Sequence, residues 1–272
     1  MLIRTIETAA ALLSVREAPG PGPAVLMIHG NSGCKEVFES QFNALAGLRH
    51  LIAVDLPGHG ASSNARNSAQ TYTLGGYAAC LRDAVSDMVT DPLVVLGHSL
   101  GGHISLELSV MLPGVVGMML CGTPPFDKSA AGLGEAFLPA PAMGLFGKAE
   151  LSPADVDVLV AALSLGPLAN DATIREAIKR TDGVARTTMV GSLLEADAHD
   201  QRRLAEQCTV PIAVVNGADD QLVNLDHLDA IAYPNLWSGR AYRIPGAGHT
   251  PQLTHPELFN PILERFLQDL ST

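Results

Sequence analysis

The chain has 272 residues, with 17 Lys+Arg against 28 Asp+Glu for a formal net charge of −11, and 47% of its residues are hydrophobic. An acidic chain without a basic block is a poor match for phosphate backbones, which argues against a nucleic-acid partner. Its apolar share suffices for a sizeable core and argues against disorder. Gly and Pro are spread along the chain, so collagen-like and low-complexity readings fail as well.

At the N-terminus, Glu7 breaks the apolar run that a signal peptide needs. No apolar run approaches the roughly 20 residues that span a bilayer, so a cytoplasmic protein with no membrane contact is expected. Residues 2–18 predict two short strands, and Pro19-Gly20-Pro21-Gly22-Pro23 a turn. The apolar runs 24–28, 51–54, 93–96, 115–120 and 211–215 fit strands buried on both faces. Helical patterns at 74–89 and 100–112 separate some of them, and an apparent strand 240–245 precedes a last helix that Thr254 would cap. Alternating strands and helices predict an α/β fold with a mostly parallel central sheet flanked by helices. Chemistry in such sheets gathers at the carboxyl ends of the strands.

The alternation breaks between about residues 124 and 206. Ser152-Pro153 offers an N-cap and a proline at the first helical position, Asp171 to Arg180 reads as a second helix, and Thr188 to Ala196 as a third. An insertion this long is not expected to be a bare loop. The division expected is therefore a core of 1–123 and 207–272 and a helical cap of 124–206 over the active-site end. The cysteines, Cys34, Cys80, Cys121 and Cys208, have no metal-binding or redox spacing and read as free thiols.

Gly97-His98-Ser99-Leu100-Gly101 is G-x-S-x-G, directly after one predicted strand and directly before a helix. That context defines a nucleophile elbow, in which small flanking residues permit a sharp turn that lifts the serine hydroxyl above the sheet. A serine needs a base to take its proton. His249, in Gly246-Ala247-Gly248-His249, follows a strand and is the candidate; His29 reads as a loop support, His59 as a turn residue, and His98 as a side chain turned away from the serine. The remaining histidines, His50, His103, His199, His227 and His255, carry no such framing. The base in turn needs a carboxylate, and Asn216-Gly217-Ala218-Asp219-Asp220 supplies two, Asp219 and Asp220; the preference for Asp220 rests partly on the resemblance given below. For an oxyanion, the candidate donors are the backbone N–H groups of Leu100 and of Asn31, in His29-Gly30-Asn31-Ser32, with the Asn31 side chain a further donor toward substrate. The sequence has no metal-ligand motif and no nucleotide-binding glycine loop, so neither metal nor cofactor is expected.

His29-Gly30-Asn31-Ser32, Asp55-Leu56-Pro57-Gly58-His59-Gly60, Gly97-His98-Ser99-Leu100-Gly101-Gly102 and Gly248-His249 together resemble the α/β-hydrolase superfamily. Gly122-Thr123-Pro124-Pro125, Arg180-Thr181-Asp182-Gly183-Val184-Ala185-Arg186, Pro211 to Gly217 and Asn235-Leu236-Trp237 are similar to the α/β-hydrolase type of N-acyl-homoserine lactonase. This resemblance implies an α/β-hydrolase fold, a triad of Ser99, Asp220 and His249, and an oxyanion hole bounded by Asn31 and Leu100. The family's elbow can carry Trp where this chain has His98. The activity implied is metal-independent opening of the lactone ring of N-acyl-homoserine lactones through an acyl-enzyme. The acyl chain would lie against cap candidates Phe126, Phe137, Met143, Leu145 and Phe146. A general carboxylesterase is the rival with the same machinery, and a ligand receptor on a hydrolase scaffold is the rival of another class.

Overall fold

The structure, a computed structural model, describes residues 2–86, 88–89, 92–163 and 172–270. Eight strands form one sheet in the order β1-β2-β4-β3-β5-β6-β7-β8. They are β1 Leu2–Glu7, β2 Leu12–Ala18, β3 Ala24–Ile28, β4 Leu51–Val54, β5 Leu93–His98, β6 Val115–Cys121, β7 Ile212–Gly217 and β8 Tyr242–Ile244. β1 pairs β2 and β2 pairs β4 antiparallel, and every other pairing is parallel.

The continuous apolar runs are explained by two cores, one on each face of the sheet. In β3, Leu26 and Ile28 join one core while Val25 and Met27 join the other. The same alternation divides Val95 from Val94 and Leu96 in β5, and Val214 from Ala213 and Val215 in β7. Period-two side chains on a sheet covered on both sides must be apolar at every position. The first core packs against α3 (Leu74–Ser86) and α4 (Leu100–Met111), the second against α1 (Glu39–Leu45) and α12 (Pro256–Asp269).

Short helices complete the chain: α2 Ser68–Thr71, α5 Ala130–Ala136, α6 Pro153–Leu163, α7 Ala172–Arg180, α8 Gly183–Ser192, α9 Gln201–Glu206, α10 Leu225–Asp229 and α11 Pro251–Thr254. Among the described residues, helices α5 to α9 lie between β6 and β7, and Val156, Leu159, Val160, Leu163, Ile174 and Ile178 belong to a third apolar cluster. Helix α6 begins at Pro153 as expected. Asp171 lies outside the described residues. Helix α8 starts at Gly183, not Thr188, because the Asp182 side chain accepts the Val184 N–H at 3.0 Å and caps it five residues earlier. Helices α5 and α9, not expected from the sequence, are capped by Ser129 and Asp200. Thr254 closes α11 rather than capping α12, whose first residue is preceded by His255.

β3 has β4 on one side and β5 on the other, so the carboxyl ends of β3 and β5 flank the point where the winding reverses. A crevice opens there. Ile28 is in register with Gly97, and His98 with Cys121, so the chain leaves β3, β5 and β6 at one level. Among the described residues, no helix is long and apolar enough to cross a membrane. All four cysteines are buried and unpaired, and burial pushes their thiols up, which makes them poor nucleophiles.

Candidate active site

Ser99 sits between β5 and α4 with φ 52° and ψ −118°, a left-handed conformation that a non-glycine residue adopts only under constraint. Its constraints are visible. The Ser99 N–H donates to the Cys121 carbonyl at 2.7 Å, and its own carbonyl accepts from Thr123 Oγ1 at 3.0 Å. A Cβ on Gly97 would stand 2.4 Å from the Gly101 carbonyl oxygen, and one on Gly101 would stand 2.0 Å from that of Ile28. The glycines of the motif are therefore required by close backbone approach.

His249 follows β8 on a loop that turns at Gly246, φ +76°. Its Nδ1 lies 2.8 Å from Asp220 Oδ2, and both side chains are buried. A carboxylate only accepts, so Nδ1 carries the proton and Nε2 is left basic. The other carboxylate oxygen, Oδ1, accepts the Leu222 and Val223 N–H groups at 2.8 and 3.2 Å. Burial opposes ionisation of Asp220, but His249 and the two N–H donors outweigh it and hold the carboxyl below its usual range. Asp219 is exposed. Gly122, φ +59°, makes room for the imidazole: a Cβ there would stand 2.9 Å from His249 Cε1.

His98 Nε2 donates to the His249 carbonyl at 3.0 Å, and its ring centroid lies 5.0 Å from that of His249. Burial, and then the neighbouring His249, push its pKa down to about 3, so this donor is a neutral imidazole that fixes the histidine loop. His29 supports its loop through Nδ1 to the Gly30 carbonyl, 2.8 Å, and Nε2 to the Leu56 N–H, 3.0 Å. His59 lies in its turn, with Nδ1 on the Pro57 carbonyl, but is buried against the Tyr77 ring. Asp55 makes a buried ion pair with Lys35 at 2.7 Å, which fixes the adjoining loop.

Ser99, Leu100, Asn31 and His249 all border one cavity of about 720 Å³, within the size range of small-molecule sites. Among the described residues, neither the Asn31 nor the Leu100 backbone N–H has an acceptor. The Asn31 side chain, expected to face substrate, instead donates to the Phe146 carbonyl at 3.0 Å and accepts from Ser32 Oγ at 3.0 Å. It ties the loop to the inserted segment. Phe126, Phe137, Met143 and Phe146 line the cavity as expected; Leu145 does not, and packs instead with the third apolar cluster. The sequence reading missed His103, Leu133, Met189 and Leu193 on the same wall. The signal for His103 was its spacing, four residues after Ser99 on the helix that the elbow starts. Among the described residues, no cluster of three His, Cys, Asp or Glu side chains is arranged to hold a metal.

A strained serine at a strand-to-helix turn, a buried carboxylate–imidazole pair and two N–H groups near one cavity are parts that an acyl-transfer site would need. The alpha/beta hydrolase family model matches residues 25–262, and the chain belongs to this family. It is 31% identical over 260 residues to the pimeloyl-[acyl-carrier protein] methyl ester esterase of Xanthomonas axonopodis pv. citri (strain 306), covering 91% of this chain and 96% of that protein. The crystal structure of N-acyl homoserine lactonase AidH complexed with N-butanoyl homoserine matches with a TM-score of 0.95 and 34% identity, over 100% of this chain and 98% of that one. A serine-to-glycine mutant of AidH complexed with N-hexanoyl homoserine lactone matches equally, with a TM-score of 0.95 and 34% identity, over 100% of this chain and 99% of that one. An esterase from Thermogutta terrifontis, at 19% identity and a TM-score of 0.81 over the whole of both chains, shares the fold.

Proposed function

We propose that the chain opens the lactone ring of N-acyl-homoserine lactones by serine catalysis. The observation that carries the chemistry is the buried Asp220–His249 pair, whose imidazole borders the same cavity as Ser99. His249 Nε2 takes the Ser99 hydroxyl proton as Oγ attacks the lactone carbonyl carbon. The negative charge on the carbonyl oxygen is held by the N–H groups of Asn31 and Leu100. Collapse breaks the ring C–O bond, and the imidazolium returns its proton to the alkoxide, which stays tethered to the acyl-enzyme. Water, deprotonated by the same Nε2, adds to the ester carbonyl; expulsion of Ser99 Oγ releases N-acyl-homoserine. Asp220 holds the tautomer and stabilises the imidazolium throughout.

The lactone preference is supported by the likeness to AidH, which runs through the inserted residues as well as the sheet. Residues 124–206 act as a helical cap in this reading: Phe137, Met143, Phe146 and Met189 supply an apolar wall for an acyl chain. The similarity to pimeloyl-[acyl-carrier protein] methyl ester esterases favours a second reading, hydrolysis of linear carboxylic esters by the same groups. The test is a panel of N-acyl-homoserine lactones, methyl esters and short aryl esters assayed with product identification. Ring-opened N-acyl-homoserine at many turnovers per enzyme supports the lactonase. Turnover of linear esters alone establishes the esterase, a free fatty acid from the lactones an amide-cleaving acylase, and a single stoichiometric burst the ligand receptor.

A further inference from the structure

Among the described residues, four polar side chains line the cavity: Asn31, Ser99, His103 and His249. Three are already engaged. Ser99 and His249 carry the proposed chemistry, and the Asn31 amide is held by Phe146 and Ser32. His103 remains. It lies in the first turn of α4, four residues past Ser99, and both residues line the cavity. Its ring is buried against Phe126 at a centroid distance of 5.3 Å.

A chain of hydrogen bonds behind the cavity wall sets the tautomer of this ring. Glu107, one turn further along α4 and buried, accepts from His199 Nδ1 and from Gln201 Nε2, the latter at 2.7 Å. With its NH2 committed to the carboxylate, Gln201 presents Oε1 to His103 Nδ1 at 3.3 Å. An amide oxygen only accepts, so Nδ1 carries the ring proton. Burial pushes His103 down to about 4, so the ring stays neutral at physiological pH. Nε2 is then a bare lone pair, and among the described residues it has no hydrogen-bond partner.

We propose that His103 Nε2 is the acceptor for the amide N–H of an N-acyl substrate, which makes His103 a specificity-determining residue that separates N-acylamino lactones from lactones and esters without that donor. The inference rests on the lactonase reading and deepens it. In an N-acyl-homoserine lactone the amide nitrogen sits one carbon from the carbonyl that Ser99 attacks. A partner one helical turn from the nucleophile is therefore placed to hold it, while Phe126 and the apolar wall take the acyl chain. A site that offers an acceptor to a substrate donor rejects the analogue lacking that donor, because its own polar group is then left unpaired. Gln201 and Glu107 are positioning residues that act through the ring.

The test compares N-hexanoyl-homoserine lactone with its carba analogue, in which CH2 replaces the amide N–H, by following ring opening with wild type, His103→Leu, His103→Gln and Gln201→Leu. The readout is the ratio of kcat/KM for the two lactones, with thermal melting to confirm folding. Wild type is expected to prefer the amide by about tenfold, the size of one hydrogen bond at a desolvated site. His103→Leu collapses that ratio toward unity, His103→Gln restores part of it through its amide oxygen, and Gln201→Leu, which leaves the cavity lining intact, lowers it several-fold by freeing the tautomer. A ratio in both His103→Leu and Gln201→Leu within twofold of wild type overturns the assignment while the lactonase reading stands. If His103→Leu fails to fold, an unchanged ratio in Gln201→Leu overturns it alone. A wild type that opens neither lactone removes the lactonase reading and this inference with it.

Discussion

Replacing Asp220 by asparagine isolates the tautomer that the proposed chemistry needs. The substitution is nearly isosteric, and the asparagine oxygen still accepts the Leu222 and Val223 N–H groups now held at 2.8 and 3.2 Å, so the loop keeps its shape. The amide NH2 takes the place of the oxygen 2.8 Å from His249 Nδ1. Two donors cannot face each other, so Nδ1 gives up its proton and Nε2 gains one. The nitrogen that should accept from Ser99 then donates. Loss of this tautomer costs on the order of 10⁴ in kcat in a serine triad, or about 5 kcal/mol of barrier at 1.36 kcal/mol per tenfold. Stability carries a separate signature. The folded-state pKa of Asp220 is depressed, so its ionised form stabilises the fold above the unfolded value near ~3.9, and that contribution is lost as pH falls through the folded value. Asparagine does not titrate, so the gap in Tm between wild type and Asp220→Asn is expected to narrow below about pH 4. Steady-state kinetics at neutral pH and melting from pH 3 to pH 8 give both readouts. A kcat within tenfold of wild type in a folded variant would refute the triad.

Ser99→Ala is expected to lower kcat/KM by on the order of 10⁴ or more while the melting curve stays near wild type; near-normal turnover would place the nucleophile elsewhere. Chelator treatment should leave turnover intact, and loss of activity that zinc restores would count against the metal-free chemistry. Gly122→Ala forces a side chain into φ +59° and to within 2.9 Å of His249 Cε1. It is expected to destabilise by about 1–2 kcal/mol and to reduce kcat more than tenfold by displacing the imidazole. Arg186→Met removes a buried guanidinium that donates to the Lys148, Ala149 and Ile178 carbonyls. Leaving these acceptors unpaired should cost on the order of 3 kcal/mol, read as a fall of about 5–10 °C in Tm by calorimetry.

The sheet and the elbow were legible in the sequence because their constraints are local. A strand covered on both faces must be apolar at each position, as Ala24 to Ile28 shows, and a serine in a left-handed turn needs Gly97 and Gly101 on either side. The positions of His249 and Asp220 were legible from their place just past strand ends. What stayed hidden depends on pairings far apart in the chain. The Asn31 amide donates to a carbonyl 115 residues away, so its sequence neighbours gave no sign of the contact with Phe146. His103 looked unframed because its frame, Gln201, is 98 residues distant. Helix α8 starts earlier than its sequence suggests because Gly183 is a weak helix former, whereas the Asp182 cap decides the start.

Arg180 to Arg186 belongs to the stretches that resemble the lactonases, and none of its residues lines the 720 Å³ cavity. Its polar groups reach the loops of the sheet instead. Arg180 donates to the Ser62 carbonyl at 2.6 Å, the Asp182 N–H to that of Gly58 at 2.8 Å, and the Asp182 carboxylate accepts from Tyr72 Oη at 2.8 Å. Arg186 completes the row with Ile178 on its own side and a longer contact, 3.4 Å, to Ser32 Oγ beside Asn31. The fixed side of the inserted segment is therefore the side next to the Asn31 loop, where, if Asn31 donates to an oxyanion as proposed, a shift of an ångström would degrade donor geometry. Phe137 and Met189, which line the cavity and are proposed to meet the acyl chain, lie outside this row. If the proposed function holds, acyl-chain fit and the fixing of the insertion rest on different residues, and changing Phe137 should alter KM across an acyl series while leaving kcat for the shortest substrate near wild type.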